Sequence, residues 1–139
     1  SAFESIEIGT GVQLEQGENL AILSIGAISN TVSTAIEGLN CAHYDLRFVK
    51  PLDTRLLHTI FKTYSTLVTI EDGVISGGFG SAILEFAAAH HYKNDVIVKG
   101  IPDVFIEQGP VDTLFETLEL DSQHLKQFVF DLIQKKGMP

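Results

Sequence analysis

Apolar residues follow two alternating patterns along the chain, continuous runs and runs with helical spacing. Continuous apolar runs are typical of strands buried on both faces, and they occur at 20–25, 67–70 and 96–98; a further strand is predicted at 41–47. Helical spacing of apolar positions occurs at 28–39, 56–64, 79–87, 111–118 and 125–133. Because strand and helix alternate, the pattern predicts a single α/β domain over 1–139, a three-layer α/β/α sandwich around a mostly parallel sheet. The segment 6–16 alternates apolar and polar residues and predicts an edge strand or a loose hairpin.

Polar residues that can cap helices precede several of these runs. Ser29 or Asn30 is expected to cap the first helix, Asp53 the second and Asp121 the last. Lysines and a glycine end the last helix at 135–137, and Pro110 suits the first turn of the helix over 111–118.

Composition narrows the classes of partner. The chain has 18 acidic and 9 basic residues, and its net charge of −9 would repel nucleic acid and acidic membrane surfaces. No apolar run reaches the roughly 18 residues of a membrane span.

A single cysteine, Cys41, and the lack of a leader pattern favour the cytoplasm. The chain does not begin with Met, and Ser1-Ala2 is consistent with a cloning remnant, so we expect a piece of a longer protein.

The stretch 67–81 is the one most suggestive of a site. An apolar strand is followed by Glu71 and Asp72, then by a glycine-rich turn with Gly77, Gly78 and Gly80, then by a helix. Amides at a helix N-terminus attract anions, but no Lys or Arg lies between 62 and 93, and two carboxylates precede the turn. We therefore favour close packing by the glycines and contact with another domain over phosphate binding. Adjacent strand residues point to opposite faces, so at most one of the two carboxylates should serve any one site.

The remaining reactive side chains indicate no catalytic site. Five histidines are scattered along the sequence without acidic or thiol partners at metal-binding spacing: His43, His58, His90, His91 and His124. Cys41 has no positive neighbour in an apolar strand, so we expect a core thiol. No serine occurs in a nucleophile elbow. The residues alone thus predict an α/β domain with no catalytic, metal-binding or cofactor-binding residue.

Four segments nevertheless resemble one family closely. They are Asp45-Leu-Arg-Phe-Val-Lys-Pro-Leu-Asp53, Leu67-Val-Thr-Ile-Glu-Asp72, Gly77-Gly-Phe-Gly-Ser81 and Ile101-Pro-Asp-Val-Phe-Ile-Glu-Gln-Gly109. Together they resemble the C-terminal, third domain of the 1-deoxy-D-xylulose-5-phosphate synthases, which belong to the transketolase superfamily. The resemblance covers about 6–133 and implies a five-stranded mixed sheet whose first strand is antiparallel. The family often has Arg or Gln where this chain has Val104, and His where it has Gln108.

The resemblance implies a non-catalytic part of a larger enzyme. That enzyme would use thiamine diphosphate and a magnesium ion to join pyruvate to glyceraldehyde 3-phosphate for isoprenoid and thiamine biosynthesis. The cofactor motif begins Gly-Asp-Gly, whereas this chain has only Glu71-Asp72-Gly73 with Asn94 downstream. The domain would support homodimerisation and interdomain packing. Two alternatives stay open, the interaction domain of a 2-oxoacid dehydrogenase β subunit and a free-standing anion-binding module.

Overall fold

A computed structural model describes residues 7–74, 78–101 and 121–139. Within these ranges the strands are β1 (Val12–Glu15), β2 (Ala21–Ile25), β3 (Ala42–Asp45), β4 (Thr66–Val74) and β5 (Asp95–Ile101). The helices are α1 (Ile28–Ala35), α2 (Thr54–Thr63), α3 (Phe79–Ala89) and α4 (Ser122–Lys135). The predicted connection over 103–109, the helix over 111–118, Gly77, Val104 and Gln108 lie outside the described residues.

The sheet confirms the predicted fold class. Its five strands lie in the order β1-β3-β2-β4-β5. β1 pairs antiparallel with β3, whereas the β2–β3, β2–β4 and β4–β5 pairs are parallel. From β2 the chain moves to β3 on one side and later to β4 on the other. The strand order therefore reverses at β2, and in open α/β sheets the crevice at such a reversal is the usual place for a ligand.

Two apolar cores cover the two faces of the sheet. The first packs α1 and α4 against β2 and β4, through residues such as Val32, Val129 and Val68. The second packs α2 and α3 against β2, β3 and β4, through residues such as Leu57 and Phe79. The sheet lies between these two helical layers, which is the three-layer arrangement that the sequence predicts.

One of the three predicted N-cap residues caps its helix through its side chain. Asp53 caps α2 as expected, since its Oδ1 accepts the Leu56 amide at 3.0 Å. The cap expected for α1 is wrong, because Ala27 holds the N-cap position and makes no side-chain bond. Asp121 holds the N-cap position of α4, but its carboxylate pairs with His124 instead of capping the helix. α1 also ends at Ala35, short of the predicted 39.

The stop signal predicted for α4 is confirmed, since Gly137 directly follows the C-cap residue Lys136 with φ of +69°. Gly38 and Asn40 have φ of +80° and +56°, but they lie beyond Ala35 and its C-cap Ile36, so they do not themselves end α1. Left-handed conformations of this kind favour glycine or asparagine. Among the described residues, no helix has both the length and the apolar character needed to span a membrane.

Candidate functional site

The carboxyl end of β4 carries the two acidic residues that the sequence analysis selected. β4 continues to Val74, so Glu71 and Asp72 lie within the strand and not in the turn after it. Glu71 points toward α3, whereas Asp72 lies beside Gly26, which follows β2. The two carboxylates therefore serve opposite faces of the sheet, as the alternation of strand side chains requires.

Glu71 forms a bidentate contact with the first turn of α3. It is 4% exposed, and its carboxylate accepts the Phe79 amide at 2.9 Å and the Gly80 amide at 3.0 Å. These are amides that have no partner inside a helix, at the end where the helix dipole favours a negative charge. The protein therefore supplies its own anion at this helix start, which leaves these two amides unavailable to a phosphate group.

Gly80 confirms the packing role predicted for a glycine of this turn. A Cβ at this position would lie 2.4 Å from Cγ1 of Val98 on β5, closer than real contacts allow. α3 can therefore approach the sheet only because residue 80 has no side chain. Gly78 is the N-cap residue of α3 with φ of −95°, so it does not need the left-handed conformation.

Asp72 lies at the crevice where the strand order reverses. Gly26 has φ of +89°, and a Cβ there would lie 3.1 Å from Oδ1 of the Asp72 carboxylate. Asp72 is half-buried, and neither ion pair among the described residues involves it. Asp72 and Gly78 thus keep partial exposure at this edge, while Glu71 and Gly80 are buried within the domain. Contact of this edge with another domain stays a prediction.

A buried histidine network lies on the α1 side of the sheet, and sequence reasoning missed it. His43 on β3 is fully buried, with Nε2 hydrogen bonded to Ser24 Oγ at 2.7 Å and Nδ1 3.3 Å from Ser33 Oγ. Ser24 also bonds Ser29 Oγ at 2.8 Å, so the residue expected to cap α1 instead ties that helix to β2. Burial lowers the pKa of His43 to about 4, and Asp45 raises it only in part.

Two other histidines meet in an aromatic cluster between α2 and the end of α3. The ring centroids of His58 and His90 are 4.5 Å apart, and both rings contact Phe86. His58 Nδ1 is hydrogen bonded to the Tyr92 hydroxyl at 2.6 Å. Burial lowers the pKa of His58, and the neighbouring charges of His90 and Lys62 lower it further. His58 and His90 are far apart in the sequence but are neighbours in the structure.

The described residues offer no arrangement for a metal ion. Within 7–74, 78–101 and 121–139, no three His, Cys, Asp or Glu side chains are grouped as metal ligands would be. Cys41 is a buried core thiol, as predicted, and burial raises its pKa to about 11. A thiol with such a pKa stays protonated near neutral pH and is a poor nucleophile.

Comparison with known proteins assigns the fold to a family. The model of the transketolase C-terminal domain matches residues 9–125. A 1-deoxy-D-xylulose-5-phosphate synthase of Bacteroides thetaiotaomicron is 46% identical over 128 residues, which cover 88% of this chain and 20% of the relative. The synthase of Cytophaga hutchinsonii is 44% identical over 135 residues, which cover 94% of this chain and 21% of the relative.

A solved structure has a similar fold. It is named "Split gene transketolase, inactive beta4 tetramer", and it matches with a TM-score of 0.82 and 26% identity over 96% of this chain and 44% of that chain. The present chain spans about a fifth of the length of the synthases that it matches. Since the family model covers most of the described fold, this chain belongs to the transketolase C-terminal domain family.

Proposed function

We propose that this chain works as the non-catalytic C-terminal domain of a 1-deoxy-D-xylulose-5-phosphate synthase. The observation that carries the proposal is its similarity to synthases of that name, at 39–46% identity over most of the chain. The whole enzyme would be a thiamine-diphosphate-dependent transferase that joins pyruvate to glyceraldehyde 3-phosphate and releases carbon dioxide. Its product would serve isoprenoid and thiamine biosynthesis in the cytoplasm.

The described residues do not fit thiamine diphosphate or its magnesium ion. The two α3 amides that could receive a diphosphate are bound by Glu71, whose carboxylate would repel a second anion at this helix start. At about 6 Å and an effective dielectric of about 20, this like-charge pair costs on the order of 3 kcal/mol. This arrangement supports a cofactor site formed by the rest of the enzyme, so the isolated chain should be inactive.

The contribution of this domain would then be structural. It would pack against the other domains of the same enzyme and support a homodimer, with the edge around Glu71, Asp72, Gly77, Gly78 and Gly80 as the candidate contact. Of the described residues in this set, Asp72 and Gly78 are the half-buried ones that could touch another domain, and Glu71 and Gly80 would act by holding α3 in place.

The two alternatives receive less support. The Arg47 to Asp53 segment resembles the synthases more than the 2-oxoacid dehydrogenase β subunits. A free-standing anion-binding module is disfavoured because the amides at the start of α3 already hold a carboxylate.

Two measurements on two proteins test the proposal. Calorimetry with thiamine diphosphate and magnesium should detect no binding to the 139-residue chain. The full-length protein that contains this chain should bind the cofactor and convert pyruvate and glyceraldehyde 3-phosphate to deoxyxylulose phosphate. Micromolar cofactor binding by the 139-residue chain, or a full-length protein with no such activity, would contradict the proposal.

A further inference from the structure

A surface groove runs between α3 and the segment that leads into α2. One wall is the segment 49–52, with Val49, Pro51 and Leu52, and the other wall is the α3 face with Ala82, Phe86 and Ala89. The groove has a volume of about 430 Å³ and is open to solvent. We call this feature the α3 groove.

Hydrogen bonds and close packing hold both walls of the groove. The segment 49–52 ends at Asp53, whose Oδ1 caps α2 and whose Oδ2 accepts the Gly11 amide at 2.9 Å. The opposite wall is held at its first turn by Glu71 and pressed onto the sheet at Gly80. Alanines at 82 and 89 leave space beside Phe86 that larger side chains would fill. The groove is therefore preformed, which lowers the entropic cost of filling it.

The shape of the groove favours a protein occupant over a small molecule. Small ligands usually bury about 70–90% of their surface in a closed cleft. The α3 groove is open to solvent and has apolar walls with Lys50 on one side and Glu85 and His90 on the other. An apolar center with charged groups at the rim is the usual composition of a protein–protein contact.

We propose that the α3 groove is where the rest of the same polypeptide docks on this domain, through an apolar side chain flanked by groups complementary to Lys50 and Glu85. The inference rests on the proposed function. The matched synthases extend about four-fifths of their length beyond the region shared with this chain. The groove also begins beside the first turn of α3, next to the edge already proposed as an interdomain contact.

Hydrogen exchange gives the direct test. The amides of Val49, Lys50 and Leu52 and those of the 82–89 face should exchange about tenfold more slowly in the full-length protein than in the 139-residue chain. The exposed face of α4 around Phe130 and Gln134 is the internal reference within this domain. Equal exchange at the groove in the two proteins would overturn the inference.

A pair of matched variants separates docking from folding. Ala89→Glu places a charge in the groove, whereas Ala88→Glu places the same charge one residue away on the exposed side of the same helix. In the 139-residue chain both variants should melt at the same temperature. In the full-length protein only Ala89→Glu should restore fast exchange at 49–52. Loss of protection by both variants or by neither would contradict docking in the groove.

The outcomes also separate this inference from the proposed function. If the full-length protein makes deoxyxylulose phosphate while the groove exchanges as in the 139-residue chain, the inference fails and the proposed function stands. If the groove is protected in a full-length protein without that activity, the docking surface stands and the proposed function fails.

Discussion

Acidification should destabilise this fold through His43. Burial lowers the pKa of His43 from 6.5 to about 4, because the protonated ring would carry its charge out of water. In the pH window between these two values the unfolded chain binds a proton that the folded chain does not. Stability from the neutral ring is therefore fully present above pH 6.5 and is lost as the pH falls. With each pKa unit equivalent to about 1.36 kcal/mol, the loss should reach about 3 kcal/mol near pH 4.

The assay compares urea unfolding of the wild type and His43→Gln at a series of pH values from about pH 8 to about pH 4. Glutamine cannot titrate but keeps an amide that can bond the neighbouring hydroxyls of Ser24 and Ser33. The wild type should lose about 3 kcal/mol more than the variant over this range. His91→Asn is the matched control, since His91 is exposed and asparagine tolerates its φ of +59°.

Parallel pH profiles for the wild type and His43→Gln would refute the reasoning. They would mean that the buried ring accepts a proton as easily in the folded chain as in the unfolded one. An NMR titration of the ring offers a second check, because His43 should remain neutral at pH values where histidine in an unfolded chain is charged. A ring that titrates at 6.5 in the folded protein would contradict the same claim.

Three further predictions concern single contacts. Asp53→Ala removes the α2 cap and the hydrogen bond to the Gly11 amide, so the free energy of unfolding measured by thermal denaturation should fall by about 1–3 kcal/mol. The control Asp131→Ala, on the exposed face of α4, should change it little. Gly80→Ala should cost about 1–3 kcal/mol by denaturant unfolding, and adding Val98→Ala should recover part of the loss; no recovery would argue against the clash. Cys41 should resist iodoacetamide near neutral pH until the chain is denatured, because its pKa is about 11; rapid labelling of the folded chain would contradict its burial.

The layers of this fold could be predicted because they depend on the spacing of apolar residues. Continuous runs such as 20–25 and 67–70 became central strands, and the spacing at 125–133 became the buried face of α4. These patterns are local in sequence and record burial directly. The cap at Asp53 was predictable for the same reason, since donor and acceptor lie three residues apart.

The misses arise where a side chain finds a partner that is distant in sequence or competes with the helix end. Ser29 has the chemistry of a cap, but Ser24 and through it His43 offer a hydrogen bond inside the core. Asp121 likewise pairs with His124. His58 and His90 lie on different elements, and no local spacing signals that their rings meet. The packing role that the sequence predicts for the glycine-rich turn is confirmed at Gly80. Only the structure shows that Gly80 packs against Val98.

The carboxylate of Glu71 also has a consequence for how this fold can change over time. The start of α3 is an anion-binding site that is occupied by a carboxylate of the same chain. Two amides donate to this carboxylate at 2.9 and 3.0 Å. Replacing Glu71 by a small neutral residue would remove the carboxylate and leave the two amides without a partner. Inorganic phosphate or sulfate could then bind to these amides. The start of α3 would become stable only when the ion is bound. This domain therefore stands a single mutation away from an anion site at the start of α3.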